Sequence, residues 1–207
     1  RKDGVNAWVT IMRGCDKFCT FCIVPFTRGR ERSRSVDGII SEVKKAITTG
    51  FTEVTLLGQN VNSYNYNNKK FPELLDAVAK VDGVKRIRYT SPHPKDINEE
   101  LLEVMAKNDN ICNYIHLPLQ AGSNRILKRM NRTYTKEDFI ELAQKIRTFL
   151  PGVGLSTDII VGFPGETEDE FNETLEVMRK VKFDSAFTFK YSPRKGTKAI
   201  EYDDQLG

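Results

Sequence analysis

The chain has 207 residues, with 32 Lys and Arg against 28 Asp and Glu, 39% hydrophobic residues, four cysteines, one tryptophan and two histidines. That length holds one large α/β domain with its own core. The 29% of charged residues among periodic apolar segments argues against disorder and against a membrane protein, since no apolar run approaches the roughly 18 residues a span needs.

A formal charge of +4 is too small to decide for or against a nucleic-acid partner. Arg1-Lys2-Asp3-Gly4 lacks the apolar core of a signal peptide and does not begin with Met, so the chain is expected to be part of a longer polypeptide. Ala7 to Met12 reads as the first strand, and Val36, Ile39, Ile40, Val43 and Ile47 then recur at helical spacing until Gly50. Val54 to Leu57 is the second strand. After a polar loop from Gln59 to Lys70, Pro72 opens a helix carrying Leu74, Leu75 and Val78. Val84 to Tyr89 is the third strand. Asp96, with Glu99 three residues later, is the expected cap of a helix that buries Leu101, Leu102 and Met105. Cys112 to Leu117 is the fourth strand. A short helix from Asn124 to Met130 precedes a longer one, started by Thr135 and Asp138, lined by Phe139, Leu142, Ile146 and Phe149 and ended by Pro151-Gly152. Val153 to Val161 is the fifth strand, Thr167 and Glu170 start a helix bearing Phe171, Leu175 and Met178, and Ala186 to Tyr191 is the sixth strand. Strands alternating with helices require crossovers, so the sheet is expected to be parallel with helices outside, either doubly wound or an open, incomplete barrel. Neither a domain boundary nor a repeat beyond the βα rhythm is visible, so residues 1–207 read as one domain.

Chemistry concentrates in Gly14-Cys15-Asp16-Lys17-Phe18-Cys19-Thr20-Phe21-Cys22, a C-x3-C-x2-C run directly after the first strand. Three thiolates on one loop suit three irons of a cubane cluster and leave a fourth iron open to a small chelating molecule. Disulfides would leave one of the three unpaired, and nothing points to secretion. Zinc would need a fourth ligand such as Cys112 or His116. Cys112 by itself reads as a buried small hydrophobe. Beside the run, Arg28, Arg30, Arg32 and Arg34 set up a local positive field, or else a solvated loop.

The cysteine run, its continuation Ile23-Val24-Pro25-Phe26-Thr27-Arg28-Gly29-Arg30-Glu31-Arg32-Ser33-Arg34, Leu57-Gly58-Gln59-Asn60-Val61-Asn62-Ser63-Tyr64, His116-Leu117-Pro118-Leu119-Gln120-Ala121-Gly122-Ser123, Met130-Asn131-Arg132-Thr133-Tyr134-Thr135 and Thr157-Asp158-Ile159-Ile160-Val161-Gly162-Phe163-Pro164-Gly165-Glu166-Thr167 cover nearly the whole chain. Together they resemble the radical S-adenosylmethionine (radical SAM) methylthiotransferases, and within them the branch acting on N6-isopentenyladenosine in tRNA. The resemblance implies a partial (βα)6 barrel, parallel strands inside and helices outside. It implies a 4Fe-4S cluster on Cys15, Cys19 and Cys22, with S-adenosylmethionine chelating the open iron and cleaved to a 5′-deoxyadenosyl radical that attacks an unactivated carbon.

Phe21 is expected to shield the cluster. Gln59 and Asn60 stand where the superfamily often has two glycines and an acid near the cofactor's amino group, a departure from its pattern. His116 and Gln120 are expected at the cofactor from the end of the fourth strand, Ser123 and Arg132 beyond it, with Arg132 pairing the cofactor carboxylate. Asp158, polar in an apolar strand, must find a partner. Val161 would line the adenine, and Tyr191 would close the site. The resemblance further implies a tRNA anticodon stem-loop as substrate, an electron donor such as a flavodoxin or ferredoxin, and a cytoplasmic setting. An amino-terminal domain with a second 4Fe-4S cluster and a carboxyl-terminal RNA-binding β-barrel domain are also implied, both outside this sequence. Methylthiolation of threonylcarbamoyl-adenosine in tRNA or of a ribosomal-protein aspartate, and a zinc-containing RNA-binding module, are the alternatives.

Overall fold

Six parallel strands carry the βα rhythm: β1 (Asn6–Thr10), β2 (Glu53–Leu57), β3 (Arg86–Tyr89), β4 (Tyr114–His116), β5 (Gly154–Val161) and β6 (Ser185–Lys190). The structure is a computed structural model describing residues 4–206; most of the Arg1–Gly4 segment lies outside the described residues. β1, β2 and β3 pair in that order, as do β4, β5 and β6. A parallel bridge between Ile87 and Ile111 links the two sheets, with the Ile87 amide donating to Asn110 and the Cys112 amide to Ile87. Strand order therefore follows chain order, which selects the open barrel over the doubly wound sheet, whose order reverses at a switch point.

Alternation along the strands decides which way each side chain faces. Ala7 and Val9 pair with Val54 and Leu56, and these with Ile87 and Tyr89, all of them buried. This face receives α2 (Val36–Thr48), whose buried Ile39, Val43 and Ala46 recur at helical spacing behind the Ser35 cap. The opposite, concave face carries Trp8, Thr55 and Arg88 from one sheet and His116, Ser156, Asp158 and Phe187 from the other.

The remaining helices are α1 (Val24–Arg28), α3 (Phe71–Ala79), α4 (Glu99–Lys107), α5 (Asn124–Arg129), α6 (Lys136–Phe149) and α7 (Glu168–Val181). Thr135 with Asp138 and Thr167 with Glu170 form the capping boxes read from the sequence. Asp96 is not the cap of α4. That role falls to Asn98, whose side chain accepts from the Leu101 amide, while Asp96 closes a 3-10 turn after β3. The helix layer is also incomplete: β6 is exposed along its whole length, and among the described residues a 3-10 turn, Lys198–Glu201, follows it instead of an α-helix. No helix is long and apolar enough to cross a membrane among the described residues.

Candidate functional site

Met12–Arg13 pairs antiparallel with Arg32–Ser33, and this short ribbon clamps the base of the loop that carries the cysteines. Gly14 sits at φ +80° with a virtual Cβ only 2.1 Å from the Arg30 carbonyl oxygen, so the loop can close here only on glycine. The Gly14 amide donates to Gln59 Oε1 at 2.8 Å, and the Cys15 amide to the Gly29 carbonyl at 3.2 Å. Lys17 pairs with Asp96 at 2.7 Å, tying the loop to the turn after β3, and Asp96 also accepts from Asn60 Nδ2 at 2.8 Å. On the other side, Asn131 donates to the Lys17 and Phe18 carbonyls, and the Thr20 amide donates to Met130. Cys15, Cys19 and Cys22 are free and half-buried, and the Cys22 amide turns back to the Cys19 carbonyl at 2.9 Å. Burial pushes the Cys15 thiol up to about 11, and Glu31 and the other two sulfurs add to the shift against the Lys17 amide. Burial also raises Cys22, opposed by the Val24 amide and by Arg194 and Arg132.

From Cys22 a cavity of about 450 Å³ runs over the carboxyl ends of β5 and β6, lined by Phe21, Gln120, Asp158, Ile160, Phe189, Tyr191 and Arg194 among others. Cofactor pockets are commonly of this size, and parallel sheets place them at this end of the strands. Gln120 reaches the wall because it takes a left-handed backbone, φ +73°, and bridges β5: its amide donates to Asp158 and its carbonyl accepts from Ile160. Asp158 finds the partner its apolar strand demanded in His116 Nε2, 3.1 Å away, and His116 Nδ1 meets Ser156 Oγ at 2.8 Å. An ionised carboxylate can only accept, so Nε2 donates to Asp158; in the neutral imidazole Nδ1 then accepts from Ser156, leaving Tyr114 to donate to Ser156. Phe163, fully buried, packs edge-on against Phe21 and Tyr191 and backs this wall with apolar surface. The Tyr191 hydroxyl and Asn60 Oδ1 are buried without a hydrogen-bond partner.

The sequence profile of the Radical SAM superfamily matches residues 9–178, a stretch that begins within β1 and includes the cysteine loop. The chain belongs to the radical SAM superfamily. Its fold agrees with solved members: a radical S-adenosylmethionine methyltransferase, TsrM, from Kitasatospora setae superposes with a TM-score of 0.76 at 15% identity, over 93% of this chain and 38% of that one. Coproporphyrinogen III oxidase from Escherichia coli, a radical SAM enzyme, superposes with a TM-score of 0.66 at 17% identity, over 97% of this chain and 48% of that one. In sequence, the chain is 56% identical along its whole length to a tRNA-2-methylthio-N(6)-dimethylallyladenosine synthase of Acetivibrio thermocellus, covering 44% of that protein. It is 54% identical to the synthase of the same name from Carboxydothermus hydrogenoformans, covering 48%. The chain thus spans about half the length of the curated relatives it matches.

The radical SAM superfamily implies a 4Fe-4S cluster and S-adenosylmethionine, and the residues present fit both. Three free thiols share one loop, and Cys22 among them lines the cavity. Among the described residues no three His, Cys, Asp or Glu side chains converge on a single metal ion. Neither proposed fourth zinc ligand joins the cysteines: His116 is engaged by Ser156 and Asp158, and Cys112 lines a separate cavity with Arg86, Arg88 and Tyr114. Cys112 is accordingly half-buried among cations, not a core hydrophobe.

Of the residues read as cofactor contacts, Phe21, Gln120, Asp158 and Tyr191 line the cavity, and His116 stands behind Asp158. Gln59 instead holds the Gly14 amide, and Asn60 lies on the Asp96 side of the loop. Ser123 faces away: it caps α5 and donates to the buried Glu170 at 2.9 Å, because a helix start beneath α7 needs both. Val161 alternates to the outer face, leaving Ile160 on the wall. Arg132 does not line the cavity. Its guanidinium is buried behind Cys19. Arg34 also turns inward, to Glu42 at 2.8 Å and to the Thr10 carbonyl, so the exposed arginines of that segment are Arg28, Arg30 and Arg32, with Arg30 paired to Asp16 at 2.8 Å. Sequence reasoning passed over Arg194, and its one available signal was its place just beyond the end of the sixth strand.

Proposed function

We propose that this chain is the catalytic core of a tRNA methylthiotransferase that modifies C2 of N6-isopentenyladenosine beside the anticodon. The observation that carries the reading is the cavity that begins at Cys22 and runs to Tyr191 beyond the end of β6. Whole-chain identity to synthases named for that product supports the substrate. C2 of adenine is unactivated, so no acid and base pair suffices. The cluster and S-adenosylmethionine, when bound, supply the one-electron chemistry needed to remove its hydrogen.

Cys15, Cys19 and Cys22 hold the cluster. Phe21 and Ile160 give the cavity an apolar wall, and Asp158, steadied by His116, offers a carboxylate at it. Arg28, Arg30 and Arg32, exposed beside the cluster loop, would meet the phosphates of an anticodon stem-loop. The sulfur and its second 4Fe-4S cluster would come from an amino-terminal domain, with a carboxyl-terminal domain aiding RNA binding and a flavodoxin or ferredoxin supplying electrons, in a cytoplasmic setting.

The test uses tRNA whose isopentenyladenosine carries deuterium at C2, with S-adenosylmethionine and a chemical reductant. The expected product is 5′-deoxyadenosine containing that deuterium. Unlabelled 5′-deoxyadenosine, or turnover only with threonylcarbamoyl-adenosine tRNA, contradicts the assignment.

A further inference from the structure

A buried guanidinium must find an anion or enough acceptors, or the fold would not tolerate it. Arg132 is 8% exposed, and each of its three side-chain nitrogens has a partner: Nε donates to Tyr134 Oη at 2.9 Å, one terminal nitrogen to the Pro118 carbonyl at 2.9 Å, and the other to Cys19 Sγ at 3.4 Å. Tyr134 is itself fixed, its hydroxyl lying 2.9 Å from the Pro118 carbonyl and 3.0 Å from that of Leu119. A phenol that donates to carbonyls is neutral, so among these contacts the group able to carry a negative charge is the Cys19 sulfur. The backbone agrees with the side chain. The Arg132 amide is held by Leu127, Asn131 grips the carbonyls of Lys17 and Phe18, and Met130 accepts from Thr20, so residues 130–132 bracket Cys19 on both sides.

We propose that Arg132 is a positioning residue that raises the reduction potential of the cluster through a charged N–H···S hydrogen bond to Cys19, and that it does not bind the cofactor carboxylate. The inference rests on the cluster reading above. Adding an electron to the cluster adds negative charge, and a fixed cation hydrogen-bonded to a ligand sulfur stabilises that state more than the oxidised one. Arg is suited to the place because its planar fork satisfies three acceptors at once, which a lysine ammonium on a flexible stem does not reproduce.

The experiment is a redox titration of the anaerobically reconstituted protein, followed by electron paramagnetic resonance, with S-adenosylmethionine added to the reduced samples. Arg132→Gln is expected to move the midpoint to more negative values by about 59 mV or more, a tenfold loss in the one-electron reduction equilibrium. Tyr134→Phe, which leaves the charge but frees Nε, is expected to move it less in the same direction. Both variants should still show the change in the reduced signal caused by S-adenosylmethionine. If Arg132→Gln does not keep its four irons, Arg132→Lys and Tyr134→Phe carry the test, and wild-type midpoints in both overturn the proposal. An unmoved midpoint in Arg132→Gln together with a lost response to S-adenosylmethionine also overturns it and returns Arg132 to the cofactor carboxylate. Absence of any iron–sulfur signal in the unmodified protein would instead refute the cluster reading itself.

Discussion

Gln59 and Glu170 are side chains whose removal tests how the site is held. Gln59 Oε1 is the acceptor for the Gly14 amide at the hinge of the cysteine loop, so Gln59→Leu leaves that buried amide unpaired at a cost of about 1–3 kcal/mol borne by the loop. The expected outcome is fewer irons retained per chain after gel filtration, with little change in thermal unfolding of the barrel; unchanged iron content would count against a positioning role. Glu170 receives Arg125 at 2.7 and 2.6 Å, Ser123 at 2.9 Å and the Thr167 amide at 3.0 Å. The Arg125 guanidinium and these donors hold its carboxyl down to about 2 against the cost of burial. A carboxyl lowered on folding contributes stability that is complete above its unfolded value of about 4.3 and is lost as pH falls toward 2. Glu170→Gln should therefore unfold about 2 kcal/mol more easily in urea at pH 7, with the gap to the parent narrowing between pH 4.5 and 2. A gap independent of pH would show that the charge is not what matters. These residues also mark the limit of reading by pattern. The capping box at Thr167 and Glu170 was legible, but Ser123, 47 positions away from Glu170, was assigned to the cofactor, because no local signal tells a cap from a ligand.

Among the elements, the helices and strands followed their periodicities closely, and the errors fall where tertiary contacts took over. Asn98 displaced Asp96 as the cap of α4 because the Asp96 carboxylate is drawn away by Lys17 and Asn60. The end of β4 and the start of α5 are packed so closely on α7 that a Cβ on Gly122 would lie 2.4 Å from Thr174 Cα and 2.7 Å from the Glu173 carbonyl, with the Gly122 amide donating to Thr174 Oγ1 at 2.8 Å. Backbone cannot give way as a flexible side chain does, so Gly122→Ala should cost about 1–3 kcal/mol by overpacking. Thermal unfolding is the check, and an unchanged midpoint would mean that α7 is free to slide. The sixth unit escaped the βα rhythm altogether. Its strand was legible from Ala186 to Tyr191, but its exposure was not: Phe187 and Phe189 are 55% and 54% exposed.

Taken whole, the molecule is an open arc with a partly apolar cavity at the cysteine loop and a basic segment beside it. The C-x3-C-x2-C spacing made the loop that carries the three free thiols legible. The cavity was only half legible, because which of two neighbouring residues faces inward, Ile160 or Val161, depends on strand register. The exposed arginines belong to this scale because they act through the field of the assembled surface. Every arginine that neutralises a phosphate steepens the salt dependence of RNA binding by about one, so Arg28→Ala with Arg32→Ala should weaken anticodon stem-loop binding and reduce the slope of log K against log salt by about two. An unchanged slope would remove this loop from the RNA interface. Electron paramagnetic resonance of the reduced, reconstituted protein, with and without S-adenosylmethionine, bears on the cluster, the open iron and the cavity at once. The expected result is a 4Fe-4S signal that changes on adding the cofactor and disappears in Cys22→Ala. A signal indifferent to S-adenosylmethionine, or a protein that takes up zinc in place of iron and sulfide, would contradict this reading of the site.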